Sequence, residues 1–262
     1  MSDVDAAKAR VRSQFGAVAQ RYVTSPGHAR GDDLALMVEL AQPQPDERVL
    51  DIATGGGHTA LAFAKHVASV VASDLTPEML DAAAAHFREK GAVNIRVERA
   101  DAEALPFEDA SFDIVTARIA PHHFPQPERF VAQVARVLRP GGRFILDDNM
   151  APEDPELDAF MNHFEKWRDP SHVRAYTITE WTRWIENAGL HVEHCEPLAS
   201  KRYPFDDWVA RMNMPQAERE AMETWLLQAP EQCKQAFEIE IEDGRVQAIC
   251  GKWSIIVARR IA

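Results

Sequence analysis

The sequence predicts a doubly wound α/β fold with a mostly parallel sheet, and three observations point to it. Short apolar runs alternate with amphipathic segments between about residues 47 and 148. The first run, Val49-Leu50-Asp51-Ile52, passes through Ala53-Thr54 into Gly55-Gly56-Gly57 and then an Ala-rich helical stretch. A second acid, Asp74, closes the next apolar run seventeen residues after Gly57. Strands alternating with helices at these spacings imply βαβ units, whose strands lie parallel.

Val4, Val11, Phe15, Val18 and Tyr22 recur at helical spacing over residues 4–22, and Thr24-Ser25-Pro26-Gly27-His28 breaks that helix. A second helix runs from about Asp32 to Leu40, before the Pro43–Pro45 turn. Arg48–Ile52 is predicted as the first strand, His58–His66 as a helix and Ser69–Ser73 as the second strand. Thr76-Pro77-Glu78 starts the next helix with an N-cap, a proline at the first position and an acid in the first turn. Gly91 ends it. Ile95–Arg99 and Phe112–Ala117 are the third and fourth strands, Pro127–Leu138 is a helix, and Arg143–Leu146 is the fifth strand. Helices near Glu156–Trp167 and Thr179–Ala188 follow, with Thr179 as the cap of the second, and Gly189 turns the chain into strand Leu190–Leu198. Residues 203–236 read as helical, and Phe237–Glu242 pairs with Arg245–Ala258 through an Asp-Gly turn. The chain thus divides at residues 1–40, 41–202, 203–236 and 237–262. The second segment is the α/β core, the third a helical insertion and the fourth a hairpin completing the sheet.

Composition narrows the function. A net charge of −12 over 262 residues disfavours a phosphate-backbone partner, which needs clustered Lys and Arg. Nucleic acid is therefore not expected as a substrate. Cys195, Cys233 and Cys250 form no C-x-x-C, so neither a zinc site nor a disulfide framework is suggested. His191, His194 and Cys195 look like ligands on paper, but positions three apart on a strand face opposite ways; no metal is expected. The polar N-terminus and the lack of a long apolar run predict a cytoplasmic protein without membrane insertion.

The glycine-rich bend carries the chemistry. Glycines let backbone N–H groups approach a ligand closely, and Asp74 is placed to accept both hydroxyls of a ribose. Gly55, Gly57 and Ala60 also satisfy the G-x-G-x-x-[GA] pattern of dinucleotide-binding units, so a nicotinamide-dependent dehydrogenase competes. Asp51 argues against it. A carboxylate at that strand end repels a pyrophosphate and attracts the ammonium and sulfonium of S-adenosyl-L-methionine (SAM).

Four segments in order resemble the class I SAM-dependent methyltransferases, in the subgroup of the ubiquinone/menaquinone C-methyltransferases: VLDIATGGGH, ASDLTPEML, RADAEALPFEDASFDIVTAR and LRPGGRFIL. ATGGGH with a following HHF, DWVARMN and EDGRV is similar to small bacterial methyltransferases of unassigned substrate. The resemblance implies a seven-stranded Rossmann-like methyltransferase sheet, with residues 1–40 as a helical lid over the cofactor. It implies that Asp51 faces the methionyl ammonium and that Ala53, Thr54, Gly55 and Gly57 line the methionine and ribose. Asp74 holds the ribose hydroxyls, Leu75 lies against the adenine, Asp101 takes its amino group and the Ala102 N–H meets a ring nitrogen. The backbone at Arg118 passes under the cofactor, and Tyr22 either reaches the methionyl carboxylate or packs with the aromatic face of its helix on the core. Ala53 departs from the family, which has glycine there.

His122 and His123, in the loop after the fourth strand, are the catalytic candidates: a neutral imidazole beside the methyl group can take a proton from the acceptor. The alternative is that the pair only orders that loop. Asp147-Asp148-Asn149 either orients the substrate or caps a turn. Trp181, Trp184, Trp208, Trp225, Met212, Met214 and Met222 form an apolar acceptor pocket or, more simply, helix core. The expected function is methyl transfer from SAM to a small-molecule acceptor, with a homodimer left open. A SAM-binding sensor without catalysis is the competing class.

Overall fold

The computed structural model describes residues 2–16, 19, 23 and 31–261. Ahead of the sheet lie α1 (Asp3–Gly16) and α2 (Asp32–Ala41). The core continues as β1 (Arg48–Ile52), α3 (His58–Ala64), β2 (Ser69–Asp74), α4 (Pro77–Glu89), β3 (Ile95–Arg99) and β4 (Phe112–Arg118). A single 3-10 turn, Pro121–His123, leads into α5 (Pro127–Val137), β5 (Leu138–Ala151) and α6 (Pro155–Arg168). Then come β6 (Tyr176–Thr177), α7 (Ile178–Asn187), β7 (Leu190–Cys195) and β8 (Ala199–Pro204). Helices α8 (Phe205–Arg211), α9 (Gln216–Leu227) and α10 (Glu231–Ala236) precede the closing strands β9 (Glu240–Glu242) and β10 (Arg245–Arg260).

The main sheet runs β3-β2-β1-β4-β5-β10-β7, with β6, β8 and β9 attached at its margins. Neighbours from β3 to β5 pair in parallel, and β10 lies antiparallel between β5 and β7. This is the doubly wound, seven-stranded, mostly parallel sheet expected from the sequence. The chain steps outward from β1 to β2 and β3, then returns to place β4 on the other side of β1. That reversal opens a crevice above the C-terminal ends of β1 and β4, where ligands of such sheets bind.

Strand alternation explains why the central strands are apolar throughout. Leu50, Val71, Val115 and Phe144 pack with Phe130 of α5 and Trp181 of α7 on one face. Their neighbours Val49, Val70, Ile114 and Ile145 pack with Met37 of α2 and Phe63 of α3 on the other. A separate core gathers Phe160, Phe164, Trp208, Met214, Met222 and Phe237 around α6 and the helices from α8 to α10. The tryptophans and methionines of the C-terminal region are thus mainly ordinary core.

Three local readings need revision. The cap of α7 is Thr177, not Thr179: its hydroxyl accepts the Glu180 N–H at 3.1 Å while the Glu180 carboxylate accepts the Thr177 N–H at 2.9 Å. This reciprocal box satisfies two otherwise orphaned donors, and Thr179 has no such partner three residues on. The region around 203 begins as strand: β8 pairs with the first half of the sixteen-residue β10, and helix starts only at Phe205. At Thr76 the N-cap position is as expected, but its side chain makes no capping hydrogen bond. The hairpin turn forms at Asp243 (φ 51°) and Gly244 (φ 74°), the two positive values that a tight primed turn requires.

Candidate active site

Strand β1 carries Asp51 to the crevice, where it is 1% exposed. Thr116 is its register partner on β4, so the Thr116 hydroxyl donates to one carboxylate oxygen at 2.8 Å. The Thr54 hydroxyl donates to the other at 2.6 Å. Burial raises the Asp51 carboxyl to about 6 even though both hydroxyls and Arg118 favour its ionised form. The fold therefore keeps a carboxylate where desolvation works against it.

The bend after β1 needs left-handed backbone at Ala53 (φ 53°), Gly55 (φ 51°) and Gly57 (φ 82°). Glycine accepts this freely, whereas the Cβ of Ala53 does not. Ala53→Gly is expected to raise unfolding free energy by about 0.5–1 kcal/mol, the relieved backbone cost less the added chain entropy. Urea unfolding checks this; a loss of stability would mean that the methyl group is usefully packed. Beyond the bend, His86 of α4 fixes the loop by donating from Nδ1 to the Gly56 carbonyl at 2.8 Å.

Asp74, ending β2, accepts the Gly55 N–H at 3.0 Å on one oxygen and the Thr76 N–H at 2.9 Å on the other. Burial raises its carboxyl above the usual range against these bonds. Asp101 follows β3. Its Oδ1 accepts the Glu103 N–H at 3.0 Å, and its Oδ2 accepts from Lys8 of α1 at 2.6 Å. The same ammonium lies 2.6 Å from a Glu103 oxygen, pinning α1 over this loop.

Arg118, at the end of β4, is buried and holds Asp33 of α2 through Nε at 2.8 Å and a second guanidinium nitrogen at 2.5 Å. Asp147 of β5 is 3.4 Å from the same Nε. Burial and the nearby Asp33 push Asp147 well above the carboxylate range. For Asp33 burial acts in the same direction, but Arg118 and Lys201 outweigh it and the net shift is downward. The next residue of the chain, Ile119, has φ 50°, a conformation that a β-branched side chain rarely adopts.

Asp51, Ala53, Thr54 and Gly55 line one pocket with Asp74, Leu75, Asp101, Ala102 and Arg118. His123 lines it too, beside Phe124, Pro125 and, from α1, Val11 and Phe15. Gly57 and His122 do not reach it. A Cβ on Gly57 would fall 2.3 Å from the Phe87 ring, so this glycine serves close packing of the loop on α4. His122 sits behind His123, with ring centroids 4.1 Å apart. Tyr22 lies outside the described residues, as do Val18 and His28. Sequence reasoning missed Lys8, Asp33, His86 and Thr116, whose partners lie far along the chain.

The residues present fit the expected cofactor. Asp51, Asp74, Asp101 and Glu103 surround the pocket, while Lys8 and Arg118 are already engaged by carboxylates. Such a donor set suits a ribose, an amine and a sulfonium, and offers a diphosphate only repulsion.

A family model described as a methyltransferase domain matches residues 50–146. The uncharacterized methyltransferase YcgJ of Bacillus subtilis is 39% identical over 92% of this chain and 96% of its own length. The crystal structure of a putative methyltransferase from Bacillus halodurans superposes with a TM-score of 0.86 at 41% identity, covering 88% of this chain and 100% of that one. A demethylmenaquinone methyltransferase of Deinococcus radiodurans is 39% identical over 52% of this chain and 58% of its own. Since the first of these relatives is matched almost end to end, the chain belongs to the class I SAM-dependent methyltransferases and not to the dehydrogenases whose glycine pattern it also satisfies.

Proposed function

We propose that the enzyme methylates the hydroxyl oxygen of a neutral, largely apolar small molecule, with His123 receiving the hydroxyl proton. The observation that carries this reading is the state of His123. Its Nδ1 faces the Ser171 carbonyl at 3.1 Å and must donate to it, leaving Nε2 as the bare nitrogen. Burial and the adjacent His122 lower its pKa to about 3, so the ring is neutral at physiological pH.

When bound, SAM supplies an electrophilic methyl group that departs from sulfur with inversion at carbon. Positioning supplies most of the acceleration for such a transfer. The acceptor O–H donates to Nε2, which turns an oxygen lone pair toward the methyl carbon. As the C–O bond forms, the hydroxyl becomes an oxonium far more acidic than any imidazolium. A base with a pKa of about 3 is then strong enough to take the proton. A neutral amine needs no such base, because its methylated ammonium is a stable product, so a proton acceptor at this position serves an oxygen acceptor.

Among the described residues, no cation at the pocket lacks a carboxylate partner, so nothing there compensates an anionic acceptor. Val11, Phe15, Phe124 and Pro125 make the remaining wall apolar. The cofactor is assigned to the strand ends: its ammonium to Asp51, its ribose to Asp74 and its adenine to Leu75, Asp101 and Ala102. In this reading α1 acts as a lid latched by Lys8 on Asp101 and Glu103. Among the described residues no helix is long and apolar enough to cross a membrane.

Asp74→Ala is expected to weaken SAM binding by about 1–3 kcal/mol through loss of charge-assisted hydrogen bonds. Calorimetric titration measures it, and unchanged affinity removes the ribose assignment. The acceptor class is tested by incubating the enzyme with methyl-tritiated SAM and fractionated metabolites. Label is expected in a neutral, organic-extractable product whose NMR spectrum contains an O-methyl signal. A C-methyl product, as the demethylmenaquinone relative suggests, or label confined to anionic fractions would overturn the hydroxyl reading. Tight SAM binding without transfer to any fraction would instead favour a sensor.

A further inference from the structure

Three histidines pack against one another beside the pocket: His122 lies 4.1 Å from His123 and 5.4 Å from His172 between ring centroids. All three are buried. Strand alternation separates two adjacent acids of β5, sending Asp147 toward Arg118 and Asp148 toward this cluster. Asp148 is fully buried and gives both oxygens to His122, one to its backbone N–H at 2.7 Å and one to its Nδ1 at 2.6 Å.

We propose that Asp148 is a positioning residue for methyl transfer, acting through His122 to keep His123 neutral with Nε2 as its bare nitrogen. This rests on the proton-accepting reading of His123. Two physical links support it.

The first link is mechanical. The His122 carbonyl accepts the N–H groups of Val173 and Arg174 at 2.9 and 3.0 Å. It thereby anchors the 169–174 loop from which the Ser171 carbonyl holds Nδ1 of His123. The Ser171 hydroxyl donates to Asp169 at 2.5 Å, so its oxygen can only accept from the same Nδ1, 3.4 Å away. Every group on that side selects one tautomer.

The second link is electrostatic. Burial opposes a charge on His122, but Asp148, by attraction and hydrogen bonding, raises its pKa overall, helped by Glu165 and Asp169. A positive charge on His122, held by Asp148, disfavours a proton on either neighbouring ring. His172 donates from Nε2 to Asn162 Oδ1 at 3.0 Å, an oxygen fixed as acceptor by the Ala175 N–H at 2.7 Å. Burial first, then the neighbouring His122, Arg168 and Lys166, depress its pKa. Around His123 itself stand Asp169, with an oxygen 4.0 Å from Nε2, and the edge-on ring of Phe15 from α1, while Arg168 also opposes a proton on the ring. Asp169 is placed to stabilise the imidazolium that forms as the proton arrives.

The test is nitrogen-15 NMR of ring-labelled histidines in the full chain, which needs no acceptor, joined to a pH–rate profile once the acceptor is known. At pH 7 the wild type should give His122 as imidazolium and His123 as the neutral Nδ1–H tautomer. Asp148→Asn should leave His122 neutral, mix the His123 tautomers and raise the pKa of His123. It should also lower kcat by about tenfold or more, with SAM affinity unchanged. His122→Gln, which keeps the backbone bond to Asp148, should likewise raise the pKa of His123 and serves if the aspartate variant does not fold. A neutral His122 in the wild type, or an unmoved His123 in these variants, would overturn the proposal. If the resonances shift as stated while His123→Gln keeps full turnover, the proton-transfer reading fails and the Asp148 coupling stands as structure alone.

Discussion

His123→Gln is expected to lower kcat for methyl transfer by roughly 100- to 10,000-fold, the usual contribution of a positioned proton acceptor. Glutamine retains a polar side chain on the same loop but cannot take a proton. SAM affinity should change little, because His123 borders the acceptor side of the pocket while the strand-end carboxylates carry the cofactor. The signature is therefore a loss in kcat with Kd for SAM preserved. The pH profile carries a second signature. Since the His123 pKa lies at about 3, its protonation should not limit wild-type turnover anywhere between pH 5 and 8, a range set by ordinary histidine titration. A variant with wild-type kcat would leave His123 as a wall of the pocket and nothing more.

Asp51→Asn is expected to weaken SAM binding while making the cofactor-free enzyme more stable. The folded-state pKa of Asp51 is raised from 3.8 to about 6. A raised carboxyl favours its protonated form in the fold, so its stabilising share is complete below the unfolded value and is lost as pH rises through about 6. Above that, ionising the buried group costs about 3 kcal/mol. Asparagine removes this cost and can still bond Thr54 and Thr116, so unfolding free energy at pH 7.5 should rise by up to about 3 kcal/mol. The same change deletes the anion facing the ammonium, and affinity should fall by about 1–3 kcal/mol. Stability gained at the expense of binding is the expected sign for a site kept under electrostatic strain. Equal loss of both would mean that Asp51 serves the fold alone.

The parts of the site that the sequence disclosed are those encoded locally. Asp51 and Asp74 each stand at or next to the end of a short apolar strand and Asp101 follows the third strand, and parallel strands bring such ends together without further information. Ala53 was legible as a departure from glycine, and its φ of 53° gives the physical reason why glycine suits that position. What escaped notice depends on distant pairing. Lys8 meets Asp101 across 93 residues and Arg118 meets Asp33 across 85, and no periodicity relates them. The HHF segment drew attention as a pair, yet the 3-10 turn presents only His123 to the pocket and commits His122 to Asp148. Strand β8 was missed because Ala199-Ser200-Lys201-Arg202 lacks the β-branched residues that mark a strand; it forms against the long edge of β10. Thr179 stands directly before Glu180, whereas the capping box needs its acid three residues on, which Thr177 has.

The central claim is that an ionised Asp51 recognises the cationic tail of SAM, and calorimetry across pH tests it most directly. Wild-type affinity should rise as pH increases through about 6 and then level off, with a proton released on binding below that point. In Asp51→Asn this rise should be absent and the affinity low throughout. Parallel pH curves for the two proteins, or equal affinities at pH 7.5, would contradict the account.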